Sequence, residues 1–239
     1  MKLKKNTLLQ SLVLAAAVFA SPLASALQME PLSLVLKPAG AGANQIFSVI
    51  NESDKPIAVQ FNMTTREQTG NEEVRKPADD QFVIYPPQTI IPAKTAQKVR
   101  VQWLGESNLQ EEKAYRLIAE QVHVSLDKDP TGVTMLMKLV GALYVQPTKT
   151  ASNVSVSAVK PQGDKLSVTV ANSGTRHQLL NKATLNLRNG GQVISLKGDQ
   201  LLGLEGKNVL AKSTQQFFIQ KPAQYQNAAW VATLDVPKK

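Results

Sequence analysis

The sequence predicts an all-β protein built as two tandem β-sandwiches, and three observations carry that prediction. Apolar and polar residues alternate with period two along almost the whole chain. The alternating runs are short and punctuated by turn clusters, and no apolar stripe of helical period runs beyond two turns. Strands at this spacing with no intervening helices form sandwiches rather than a parallel sheet, and immunoglobulin-like sandwiches fit the run lengths best.

In the first half the strand-like runs are 45–50, 57–63, 99–103, 115–126 and 133–145, rich in Val, Ile, Leu, Thr and aromatic residues. Asn51-Glu52-Ser53-Asp54, Thr69-Gly70-Asn71 and the segment 127–132 supply the turns between them. Tyr85-Pro86-Pro87 follows Gln81-Phe82-Val83-Ile84, and proline this dense permits only short pairing. A turn or a change of sheet is expected at Pro86 and Pro87, with room for a cis bond. The second half repeats the pattern at 153–160, 165–172, 183–187, 192–196, 214–220 and 230–235, with hairpin signals at Gln162-Gly163-Asp164 and Asn189-Gly190-Gly191. Pro147 cannot continue a central ladder, and a polar stretch follows it. The expected division is therefore 1–26, 27–147 and 148–239.

Residues 1–26 read as a cleaved signal peptide. Lys2, Lys4 and Lys5 precede an uncharged apolar stretch of about 13 residues, Pro22 breaks it, and Ala24-Ser25-Ala26 places small residues at a cleavage site. That stretch is too short for a bilayer, which takes about 20 residues. Removing it leaves 213 of the 239 residues and lowers the net charge from +9 to +6. No second stretch approaches spanning length, so membrane insertion is not expected. Secretion across an inner membrane also makes a nucleic-acid partner a poor explanation of the basic excess, which instead suits anionic protein groups.

Composition removes most catalytic and metal chemistry. The chain has no cysteine and two histidines, His123 and His177, 54 positions apart. Thiol catalysis, disulfides and a Cys/His zinc site are ruled out, and no phosphate-cradling glycine loop or nucleophile elbow is present. His123 falls in an alternating strand and His177 in the turn Ser173-Gly174-Thr175-Arg176-His177, where solvation is expected. Glu111 and Glu112 are adjacent at a strand start and so point to different faces, which does not suit paired-carboxylate work. Neither a cofactor nor an enzyme is expected.

The informative run is 133–145. Val133, Met135, Met137 and Leu139 form one apolar row, and Lys138 sits on the opposite row as a single cation in an otherwise apolar strand. Lys138 reads two ways: as a lysine snorkelling from an edge strand, or as a cation held at a cleft to meet a carboxylate. The apolar row likewise reads either as inward core or as plugs presented to a partner. Arg116, between Tyr115 and Leu117, is a guanidinium flanked by apolar residues and needs a partner.

Several segments, taken in order, resemble the periplasmic pilus chaperones of the chaperone–usher pathway, the PapD-like family. They are Asn51-Glu-Ser-Asp-Lys-Pro-Ile-Ala-Val-Gln60, Phe82-Val-Ile-Tyr-Pro-Pro87, Ile91-Pro-Ala-Lys-Thr-Ala-Gln-Lys-Val-Arg-Val101, Glu112-Lys-Ala-Tyr-Arg-Leu117 and Leu143-Tyr-Val-Gln-Pro147. The resemblance implies two immunoglobulin-like domains in a boomerang with a cleft between them. It also implies a non-catalytic function, in which a Gram-negative periplasmic protein binds pilus subunits that lack a strand. The run 133–145 would complete the subunit by donor-strand complementation, with Val133, Met135, Met137 and Leu139 as plugs, and an outer-membrane usher would receive the complex.

The family anchors the subunit's terminal carboxylate with a lysine of this strand, matched by Lys138, and an arginine of the first strand. The first strand here, 27–37, has no arginine, a departure from the pattern. Arg116 is the substitute anchor and Arg100 the second choice. The missing cysteines fit a divergent branch without the disulfide, such as the archaic one. The exposed apolar edge of such a strand also suits a self-capping homodimer in the free protein. The competing class is a secreted structural protein, a pilin or adhesin with tandem immunoglobulin-like domains.

Overall fold

The computed structural model describes residues 27–123, 136–226 and 229–237. Its first half holds β1 (Leu27–Glu30), β2 (Ser33–Leu36), β3 (Asn44–Asn51), β4 (Ile57–Thr65), β5 (Glu67–Thr69), β6 (Glu72–Val74), β7 (Phe82–Tyr85), β8 (Gln88–Ile91), β9 (Ala96–Trp103), β10 (Lys113–Val122) and β11 (Lys138–Val145). The second half holds β12 (Val154–Gln162), β13 (Lys165–Asn172), β14 (Gln178–Leu179), β15 (Thr184–Asn189), β16 (Gln192–Lys197), β17 (Asn208–Val209), β18 (Thr214–Gln220) and β19 (Val231–Asp235). The helical segments among these residues are three short 3₁₀ turns.

Two sheets, ordered β1-β3-β9-β7 and β2-β11-β10-β4-β8, face each other in the first half. The alternation predicted from sequence turns Phe47, Val49, Val99 and Val101 of one sheet toward Val59, Phe61, Leu117 and Leu143 of the other. Phe82 meets Trp103 and Tyr115 edge-on at centroid distances of 5.1 and 4.9 Å. The second half packs β12-β13-β18 against β16-β15-β19 over Leu166, Val168, Val170, Leu185, Leu187 and Leu196. No sheet among the described residues is shared between the halves, so the fold is two β-sandwich domains in series.

Two of the places where the chain passes from one sheet of the first sandwich to the other carry a cis X-Pro bond. The first strand expected from sequence is divided at Glu30–Pro31: β1 pairs antiparallel with β3, and β2 crosses to run parallel with β11. Proline cannot donate to a ladder, which ends pairing there. At Tyr85–Pro86 the chain passes from β7 in one sheet to β8 in the other, as the proline-dense stretch predicts.

Each sandwich is tied at a strand end by one buried asparagine. Asn51 donates from Nδ2 to the carbonyls of Lys55, Ile91 and Pro92 at 2.8–3.0 Å, and its Oδ1 accepts from Ser53 N and Oγ. Asn172 repeats the device, donating to Arg176 O and Val209 O and accepting from Asn153 N and Gly174 N. Both residues are 0–1 % exposed. Truncating either strands buried backbone groups, so Asn51→Ala should cost about 3 kcal/mol. In a Trp230→Phe background, where Trp103 fluorescence reports the first sandwich alone, its urea midpoint should fall. Asn172→Ala should leave that midpoint in place.

Candidate functional site

The β10–β11 pairing positions the site. Arg116 stands opposite Ala142 and Glu120 opposite Lys138, so Arg116, Glu120, Lys138 and Tyr144 all lie on the face turned away from the first core. Met137 and Leu139 have the other parity and pack, half-buried, against that core. Val133 and Met135 lie outside the described residues. Lys138 is half exposed and pairs with Glu120 at 3.0 Å. Its position is four residues along β11 from Ala142, or about 13 Å of strand. The structure thus sets Lys138 and Arg116 on one face without bringing them together. Arg100 is exposed on β9, in the other sheet and opposite Tyr85.

β11 has an open edge. Along one side it pairs with β10 over its whole length, whereas on the other β2 covers Ala142 to Val145 only. Ala142 N and Gln146 N donate toward the β2 segment, to Leu32 O and Leu36 O, and Met137 O accepts from Gln121 N on the β10 side. By alternation the backbone N–H and C=O groups of Lys138 and Val140 point to the uncovered side, where no strand among the described residues pairs with them. Exposed Leu32, Val35 and Leu136 flank this edge.

Arg116 has the partner its apolar neighbours demand. Its Nε and Nη2 form a two-pronged contact with Glu73 at 2.9 and 2.5 Å. Arg66 Nε lies 2.8 Å and Arg75 Nε 2.7 Å from the same carboxylate. Burial pushes the Glu73 carboxyl up, but the hydrogen bonds of Arg116 and Arg75 and the charges of Arg116 and Arg66 outweigh it, lowering the group from 4.5 to about 2. Arg66 Nη1 also donates to Tyr144 Oη at 2.9 Å, and burial pushes that phenol up, so it stays protonated at neutral pH.

The same face carries the contact with the second sandwich. Tyr144 stacks on His177 at 4.0 Å and its hydroxyl accepts from Asn208 Nδ2. Glu112, whose side chain is 1 % exposed, accepts from His177 N and Gln146 Nε2, and its Oε1 is 2.7 Å from His177 Nδ1. The turn histidine expected to be solvated is therefore half-buried, because tertiary contacts 65 residues away in sequence enclose it. The β5–β6 hairpin adds a second tie. Gln68 exchanges hydrogen bonds with Asn208 O, Leu210 N and Ser213 Oγ, and Gly70 and Asn71 meet Gln215 and Gln216. Between these ties lies a cleft of about 200 Å³ lined by Arg66, Gln68, Glu112, Leu210 and Lys212. A larger surface cavity of about 430 Å³, beside β16, has no charged residue in its lining.

Arg66, Glu73, Gln68 and Tyr144 went unnoticed in the sequence. One signal pointed to Tyr144: its inward neighbours Leu143 and Val145 turn its polar tip outward. Among the described residues no cluster of metal-ligating side chains occurs, and no helix is long and apolar enough to cross a membrane.

Comparison with known proteins agrees with this frame. The family described as pili and flagellar-assembly chaperone, PapD N-terminal domain, matches residues 26–151, more than half of the chain. The chain belongs to the PapD-like pilus-assembly chaperones. No curated protein matches it in sequence. Its fold is similar to the class 5 fimbriae chaperone CfaA, with a TM-score of 0.56 at 15% identity over 89% of this chain and 100% of that one. The E. coli chaperone DraB gives a TM-score of 0.53 at 18% identity over 82% and 85%. A chain of the CsuC–CsuE chaperone–tip subunit complex, from archaic Csu pili of Acinetobacter baumannii, gives 0.53 at 15% over 80% and 89%. The family is a periplasmic, non-enzymatic chaperone fold of the chaperone–usher pathway.

The Glu73 cluster has a measurable consequence. Its carboxyl sits below the ordinary 4.5 in the folded chaperone, so the ionised form adds stability that is present above that value and is lost as pH falls to about 2. The thermal midpoint of the wild type should fall more steeply than that of Glu73→Gln over this window. Parallel slopes would mean that the arginines do not hold Glu73 ionised.

Proposed function

We propose that this chaperone captures pilus subunits by donor-strand complementation through β11 and passes them to an outer-membrane usher. The open edge at Lys138 and Val140 is the observation that carries the proposal. An edge with unpaired backbone groups offers a ladder to an incomplete sandwich, and alternate side chains fill the partner's groove. Val133, Met135, Met137 and Leu139 are the plugs, and the two methionines adapt to grooves of different shape. Neighbouring folds from chaperone–subunit complexes support the choice of partner.

Residues 1–26 act as the signal peptide that delivers the chain to the periplasm, 27–147 form the subunit-binding domain, and 148–239 form the second. Arg116, with Arg66 beside it, takes the subunit's terminal carboxylate, and Lys138 meets the subunit nearer the open end. In the free protein the same edge suits a second copy of the chain.

The test is co-purification from periplasm of the tagged wild type and three variants with the products of neighbouring genes. Wild type should bring down a small β-rich subunit. Met137→Asp should lose it while keeping a native circular dichroism spectrum. Arg116→Ala should lose most of it, and Lys138→Ala should retain an intermediate amount. Capture by Met137→Asp at the wild-type level would overturn the plug assignment. Assembly of the protein alone into fibres, with no subunit bound, would favour a structural pilin or adhesin.

A further inference from the structure

Three guanidinium groups share one carboxylate at the domain contact, and the four side chains together carry a formal charge of +2. Arg66 and Arg116 are 9 and 17 % exposed, and Glu73 is 23 % exposed. The other nearby carboxylates are engaged elsewhere: Glu67 with Lys76, and Glu112 with His177 and Gln146. Two largely desolvated arginines whose guanidinium groups both contact one carboxylate form a site built to hold a carboxylate. The planar, two-pronged contact of Arg116 with Glu73 has the geometry by which a guanidinium recognises a carboxylate.

The group holding that site sits on an element lightly tied to its own sandwich. β5 and β6 form a two-stranded hairpin of three residue pairs that joins neither sheet of the first sandwich. Such a hairpin is marginal by itself. Its base is held by Thr65 N to Lys76 O, by the Thr64–Pro77 bridge and by a single bond to β10, Arg66 N to Ala114 O, and its tip leans on the second sandwich. Glu73 can therefore withdraw without opening either core.

We propose that Glu73 is a resident stand-in for a ligand: it occupies a carboxylate site made by Arg66 and Arg116 and gives it up to the terminal carboxylate of a bound polypeptide. The exchange replaces one negative charge by another, so the arginines are never left uncompensated. Glu73 thereby lowers the affinity for any ligand that brings a carboxylate alone, and selects ligands whose further contacts make up the difference. This inference rests on the subunit-binding function proposed above.

The test uses the full mature chain and two probes, an N-acetylated penta-alanine peptide with a free C-terminal carboxylate and the same peptide as its C-terminal amide. Binding is followed by the Nε–H NMR signals of Arg66 and Arg116. The free-acid peptide should bind Glu73→Gln about tenfold more tightly than wild type, because the competing state has been removed. The amide should bind neither protein measurably.

Glu73→Asp keeps the charge but shortens its reach, and should also bind the acid more tightly. It serves as the second variant if Glu73→Gln does not fold. Equal affinities for wild type and both variants, with the arginine signals shifting in each, would overturn the stand-in role and leave the arginine anchor intact. Acid and amide binding alike would overturn the carboxylate site itself. Subunit capture from periplasm is read separately, so loss of either point leaves the chaperone function to its own test.

Discussion

The parity of β11 is the constraint on which the rest of the structure depends. Leu143 and Val145 must enter the first core, which fixes every second residue of the strand inward and turns Lys138, Ala142 and Tyr144 out. Pairing with β10 then places Arg116 beside Tyr144, and the reach of β2 sets where the ladder stops. A slip of one residue would turn Lys138 and Tyr144 into the first core and take Leu143 out of it. One register thus builds the core, the cationic face and the open edge together. Gly141 belongs to the same constraint, because a Cβ there would come within 2.9 Å of Met29 Sδ, where the first strand crosses over β11.

The two sandwiches meet through polar contacts rather than a continuous core. Glu112, Gln146, His177 and Tyr144 form one tie, and the β5–β6 hairpin forms the other. The hairpin bears both Gln68, which faces the second sandwich, and Glu73, which faces the arginines of the first. The element that engages the arginine site is therefore also the one that links the domains. A contact of this kind, satisfied by hydrogen bonds at a few points, holds an orientation without the large apolar area of an obligate interface.

Much of this was legible in the sequence because it depends on local period and punctuation. Long alternating runs such as 57–63 and 214–220 became strands, and Pro86 marked a change of sheet. The departures have physical causes. The run 27–37 reads as one strand because apolar residues continue on both sides of Pro31, yet their phase shifts there from 27 and 29 to 34 and 36, and the proline's missing N–H divides the run between two sheets. β5 and β6 are too short and polar to stand out from the turn at Gly70. Arg116 was conspicuous because its apolar neighbours announced an unpaired cation, whereas Glu73 looked like any charge in a polar loop. His177 was misplaced for the same reason: contacts across 65 residues leave no periodic trace.

Hydrogen exchange at single-residue resolution on the free chaperone and on its complex with a captured subunit tests the central claim most directly. The amides of Lys138 and Val140 should exchange rapidly in the free protein and become strongly protected in the complex, while those of Leu139 and Gly141, already bonded to β10, change little. Unchanged exchange at Lys138 and Val140 in a complex shown to be intact would contradict strand pairing through this edge.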